Sequence, residues 1–178
     1  MSRFSKWAQR EHPAGKRIAA TLLAGLLFAI LLPYVLLVIC PSLDRSLGLQ
    51  GFQVGVANIL IGGILVVLGL FFAWWSIAVQ LTRGRGTPLP IMPTQELLTT
   101  GPFHYCRNPM SFGTILAYLG LAVAAGTVVG IALVVVLATL LILYLKRIEE
   151  GELAERFGDA YRTYRREVPF IIPKYRPD

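Results

Sequence analysis

Apolar and polar positions alternate along this chain in long blocks rather than at a globular period. Residues 18–40 contain no charge over 23 positions, and residues 52–81 contain none over 30. About 20 apolar residues cross a bilayer, so each block predicts a spanning helix, with the second long enough to tilt. Between Arg107 and Lys146 lie 38 uncharged residues. One helix of that length would reach roughly 57 Å, nearly twice a hydrocarbon layer of about 30 Å. The block therefore predicts two short spans, with a turn at Ala125-Gly126-Thr127. The expected spans are 18–40, 53–81, 109–125 and 128–145. The run at 18–40 also follows a basic start, as a signal peptide would. It exceeds the roughly 7–15 apolar residues of a signal sequence, so an uncleaved first span is expected.

The polar stretches between these blocks carry the other elements. Residues 82–108 hold Pro88, Pro90 and Pro93, which forbid a regular helix there. Irregular backbone is not tolerated in lipid, so this loop belongs at a surface or against protein. Residues 146–168 read as amphipathic helix, with Ile148, Leu153, Phe157, Tyr161, Tyr164 and Val168 on one stripe. Gly158 followed by Asp159 predicts a break into two helices, glycine ending one and aspartate capping the next. Pro169 ends the second. Trp74 and Trp75, near the end of the second block, fit an interfacial aromatic belt or ordinary packing equally well. The pairs Gly113/Ala117, Gly120/Ala124 and Gly126/Gly130 would let the last two spans approach closely.

Composition agrees with the blocks. Of the 178 residues, 55% are apolar and only 15% charged, against roughly 25% charged in soluble domains; mean hydropathy is +0.62. The net charge of +7 would invite nucleic acid in a soluble protein, but its placement points elsewhere. Every lysine and arginine except Arg45 falls in the N-terminal tail, the 82–108 loop or the C-terminal segment. The positive-inside rule assigns those three to the cytoplasm. The expected architecture is a single all-α membrane domain with four transmembrane helices, both termini cytoplasmic and a C-terminal amphipathic helical segment. A bacterial-type inner membrane suits it, and nucleic acid is not an expected partner. Two cysteines and two histidines show no metal-ligand spacing, so no metal is expected.

This topology brings two polar segments to one membrane face. Arg107-Asn108-Pro109 stands where the third span begins, and Glu149-Glu150 where the fourth ends. If those spans form an antiparallel hairpin, a guanidinium, an amide and two carboxylates become neighbours at the lipid boundary. Adjacent glutamates at that depth are costly unless paired or hydrated. Taken alone, they also read as a solvated helix start balanced by Lys146, Arg147 and Arg156, and Arg107 as a snorkelling arginine.

The wording of the two segments adds a resemblance. G-P-F-H-Y-C-R-N-P-M-S-F-G, residues 101–113, resembles the G-P-[FY]-x-Y-x-R-[HN]-P-x-Y-x-G signature of integral-membrane methyltransferases. That family includes isoprenylcysteine carboxyl methyltransferases and phospholipid N-methyltransferases. The segment from Glu149 to Pro173 resembles the family's E-E-x-x-L-x-x-x-F-G-x-x-Y-x-x-Y-x-x-x-V-P-R-x-I-P. The resemblance implies S-adenosylmethionine as methyl donor, leaving S-adenosylhomocysteine, and a lipophilic acceptor in the bilayer, either a prenylcysteine-type carboxylate or a phospholipid amine. By position it implies a cofactor pocket shaped by Gly101, Tyr105, Arg107, Asn108, Pro109, Gly113, Glu149 and Glu150. Glu150 and Arg107 are the candidates for direct contact with the reacting groups, and no catalytic base is assigned. Gly84-Arg85-Gly86 matches a glycine pair that phospholipid methyltransferases use for the cofactor. Asn108 stands where carboxyl methyltransferases have histidine, Ser111 where tyrosine is usual, and Phe170 where the pattern has arginine. These departures leave the acceptor open. They also keep a second reading in view, a membrane scaffold or ligand binder that retains the fold without the chemistry.

Overall fold

The computed structural model describes residues 26–52, 54–83 and 96–175. The N-terminal tail, the first eight positions of the first expected span, the Gly84-Arg85-Gly86 run and the three loop prolines lie outside the described residues.

The first helix, α1, runs over Leu27–Ser46. It contains two π-turns, Leu27–Leu31 and Val35–Ile39, closed by the Leu32 N–H on Leu27 O and the Cys40 N–H on Val35 O. Each precedes a proline, Pro33 and Pro41. Proline lacks the donor for an α-helical bond and crowds the carbonyl four residues back, and a widened turn relieves both problems. The helix runs on past Cys40, where a connection was expected. It carries Asp44 into the interior, and Gly48, at φ +66°, turns the chain away.

Helix α2 covers Val56–Arg83, 28 residues, about 42 Å and thus longer than the hydrocarbon layer. After the short α3, Pro102–Tyr105, come α4, Pro109–Ala125, and α5, Val128–Tyr144. These last bounds coincide with the expected third and fourth spans to within a residue. Pro109 occupies the first turn of α4, where its missing N–H costs nothing. Gly126 ends that helix in the left-handed conformation, φ 63° and ψ 30°. Thr127 caps α5 by accepting from the Gly130 N–H at 3.0 Å. A π-turn, Leu145–Glu149, leads into α6, Glu150–Glu167.

Among the described residues, three helices are long and apolar enough to cross a membrane: Leu27–Ser46, Val56–Thr82 and the 40-residue run Val128–Glu167, whose charge-free part is α5. The apolar α4, at 17 residues, is shorter. It still joins the two ends of the bundle, with Arg107 at its start and Gly126 at its finish.

The small residues of α4 pack against α2, not against α5 as the hairpin pairing anticipated. A Cβ on Gly113 would lie 2.5 Å from Gly69 O, and one on Gly120 2.6 Å from Gly62 O. Gly69 and Gly62 face them with equally short approaches, to Ala117 N and Gly120 O. Two helices meet here backbone to backbone, which only glycine permits.

The end of the bundle away from Arg107 is tied by two buried polar side chains. Asp44 accepts from the Val128 and Val129 N–H groups at 3.0 and 2.9 Å, so α1 caps α5. Asn58 donates to Phe52 O at 2.8 Å and Val123 O at 3.0 Å, and accepts from the Val54 N–H. Between the ends, Leu36 and Cys40 of α1 pack with Ala122 and Val134.

Candidate functional site

The polar stretch 99–113 is held between the last turns of α2 and the C-terminal segment. Gly101, at φ 65° and ψ −132°, starts α3 in a conformation that side chains avoid. A Cβ there would come within 3.2 Å of Val79 and 3.6 Å of the Trp75 ring nitrogen. Trp75 also lies 6.0 Å from the Tyr105 ring, and Phe72 meets Phe112 edge-on at 5.2 Å. Its neighbour Trp74 is 73% exposed. The two tryptophans thus divide the two roles open to them: one packs behind the loop, the other faces outward.

The C-terminal segment closes the other side. The Arg107 N–H bonds Pro169 O at 2.9 Å, Asn108 Nδ2 donates to Phe170 O at 2.9 Å, and the Lys174 N–H bonds Tyr105 O at 3.0 Å. Tyr164 donates its hydroxyl to Phe103 O at 2.6 Å. Tyr161, Tyr164 and Val168 are buried, with Leu97, Leu153 and Phe157 against them. The apolar stripe of α6 therefore faces protein. Only Ile148, within the π-turn, stands exposed.

At the centre is an ion pair between Arg107 and Glu150, whose side chains are 10% and 6% exposed. Glu150 Oε1 takes Arg107 Nη1, and Oε2 lies 3.4 Å from Arg165 Nη2. Arg107 Nη1 also reaches the Tyr161 hydroxyl at 3.4 Å. Among the described residues, the buried Arg107 Nε has no hydrogen-bond partner. The two glutamates have separate surroundings. Glu149 is half-buried and, among the described residues, forms no ion pair. Burial pushes its carboxyl above the usual carboxylate range, and the charges of Glu152 and Glu150 push it further.

The break at Gly158 makes this cluster possible. Arg165 follows Glu150 by 15 positions, about 22 Å along a straight helix, yet their side chains meet. Gly158 adopts φ 55° and ψ −127°, the mirror image of the extended region, and folds the second half of α6 back over the first. Asp159, the expected cap beyond the break, instead pairs with Arg162 at 3.0 Å. Of the residues anticipated from the sequence, Arg107 and Glu150 are in contact. Tyr105 and Gly101 line the α2 side, and Asn108 is tied to the C-terminal segment. Pro109 and Gly113 are buried in helix packing and hold the loop in place. Trp75, Tyr161 and Arg165 were not anticipated. Tyr161 had a signal in the F-G-x-x-Y spacing; Arg165 had none. Close by, Cys106 is fully buried, and burial raises its thiol to about 11, which leaves it protonated and unreactive at neutral pH.

The sequence profile of a family described as phospholipid methyltransferase matches residues 57–160. The match runs from the start of α2 to one residue short of Tyr161, and so takes in Arg107, Glu149 and Glu150. No curated protein and no solved structure matches the chain.

Proposed function

The chain belongs to the phospholipid methyltransferase family, whose profile spans more than half of it, and from that membership we propose that it transfers a methyl group from S-adenosylmethionine to a lipophilic acceptor in the bilayer. The observation that carries this reading is the buried Arg107–Glu150 pair at the end of an apolar bundle, with a guanidinium N–H that lacks an acceptor among the described residues. The residues around it fit the donor's chemistry. Arg107 Nε suits the donor's carboxylate, and the half-buried Glu149 suits its ammonium or ribose hydroxyls. Trp75 and Tyr105 offer aromatic faces for the adenine. Both carboxylate oxygens of Glu150 are engaged by arginines, so its role is to hold Arg107 in position.

Bound there, S-adenosylmethionine supplies an electrophilic methyl carbon on a sulfonium. The protein's task is then to align donor and acceptor and to exclude water. A carboxylate or thiolate acceptor arrives with its lone pair free, whereas an ammonium must first lose a proton. The placement of positive charge supports a site on the cytoplasmic face of four spans, with both termini inside. The acceptor would enter sideways from the lipid and the donor from the water.

Calorimetry with S-adenosylmethionine on the detergent-solubilised protein tests the reading. We expect binding that Glu149→Ala or Arg107→Ala weakens by about tenfold or more, ~1.4 kcal/mol. Absence of binding to the folded wild type at millimolar donor would leave the scaffold reading instead.

A further inference from the structure

Lys146 is the first charge after α5, at the point where the helix leaves its apolar stretch. Glu149 and Glu150 follow it by three and four residues, the spacings at which opposite charges on a helix meet. Neither pairs with it. Glu150 is taken by Arg107 and Arg165, and among the described residues Lys146 forms no ion pair. Its ammonium lies instead over the Phe170 ring, 4.9 Å from the centre. The Arg107 guanidinium lies 5.5 Å from the same centre. The backbone that carries the ring is anchored, because Asn108 Nδ2 bonds the Phe170 carbonyl and the Arg107 N–H bonds the carbonyl of Pro169.

A ring under an exposed ammonium contributes about 0.5–1 kcal/mol. That is enough to bias where the side chain points and far too little to neutralise it. The ammonium is thus held just beyond the charge-free stretch of α5, one ring away from the Arg107–Glu150 pair. A snorkelling lysine would point out into water; this one is turned toward the site.

We infer that Lys146 binds an anionic group of the methyl acceptor itself, a phosphodiester or carboxylate near the nucleophile, and that Phe170 sets the position of its ammonium. The inference rests on the methyl-transfer reading and narrows the acceptor to lipids with a negative headgroup. The same ammonium could serve bystander anionic lipids, whose chemistry is shared, so the test separates the two.

The probe is hexadecyl phosphate, with hexadecanol as the uncharged control, titrated calorimetrically into the full chain in a neutral detergent. Wild type should bind the phosphate more tightly than the alcohol. Lys146→Ala should weaken the phosphate alone by about fivefold, Phe170→Leu should weaken it in the same direction, and Lys146→Arg should restore it. Equal phosphate binding by wild type and Lys146→Ala overturns the inference. In a methyl-transfer assay with phosphatidylethanolamine or farnesylcysteine, hexadecyl phosphate should compete with the acceptor. Inhibition that excess acceptor does not relieve points to a bystander lipid and overturns it too. S-adenosylmethionine titrated into the same preparations keeps the two failures apart. Donor binding without Lys146-dependent phosphate binding sinks this inference alone, whereas loss of donor binding sinks the methyl-transfer reading beneath it.

Discussion

Glu150 is almost fully buried, and an arginine reaches each of its oxygens. A charge in that setting matters most when its partner is removed. Glu150→Ala would leave the Arg107 guanidinium, 10% exposed, without a carboxylate. Breaking a buried pair from one side costs about 3–5 kcal/mol, so thermal unfolding in detergent should show a large loss of stability. Tyr161→Phe removes only a 3.4 Å contact to the same guanidinium and should cost about 1 kcal/mol or less. Similar melting temperatures for the two variants would mean that the pair is hydrated in solution. At this scale the sequence was informative about which groups meet: Arg107 and Glu150 could be paired from the span arithmetic. It was uninformative about how they divide the work. Only the geometry separates Glu150, locked between arginines, from Glu149, half-buried and without an ion pair among the described residues.

The decisive element contact is the seam of α2 and α4. Four glycines, Gly62 and Gly69 against Gly113 and Gly120, bring the backbones so close that a methyl group meets backbone atoms. Gly113→Ala should therefore push the helices apart, at about 1–3 kcal/mol for overpacking. Because the loop before α4 carries Arg107, donor binding should weaken as well. Gly63, next to the seam residue Gly62, has open space around it. Gly63→Ala should be neutral or gain about 0.5–1 kcal/mol of helix stability. Unfolding midpoints of the two variants check this, and equal effects would deny the seam. The glycine pattern in α4 was legible; its partner was not. Small-residue spacing shows that a helix can be approached closely, and says nothing about which neighbour does so. The same limit applies to α6, where Gly158 announced a break without indicating that the fold-back would carry Arg165 to Glu150.

Among the described residues, charge marks the two ends differently. Arg107, Lys146 and Arg147 stand at the site end, while Asp44 is consumed at the other in capping α5. Reporter fusions can test the proposed orientation. A fluorescent protein fused after Asp178 should fluoresce and alkaline phosphatase there should be inactive, with both results reversed for fusions after Leu47. The opposite pattern would move the site to the outer face. Fusions within the turn at 126–127 should match those after Leu47 if α4 spans the bilayer, and disagreement would reduce the count to three.

The sequence by itself determined the helical class, the boundaries of α4 and α5 and the family, because apolar run length, proline and glycine positions and motif wording are local properties of the chain. It also led to the expectation that Arg107 and Glu150 share one end of the bundle, since a short turn returns the second of two consecutive helices to the end where the first began. Only the tertiary structure decided that Asp44 belongs inside α1 as a cap for α5, that α4 is seamed to α2, and that α2 backs the loop with Trp75. It alone brought Lys146 and Arg107 to one ring of Phe170. Those are contacts between distant segments, selected by which surfaces fit once every helix has formed, and no single stretch of sequence contains them.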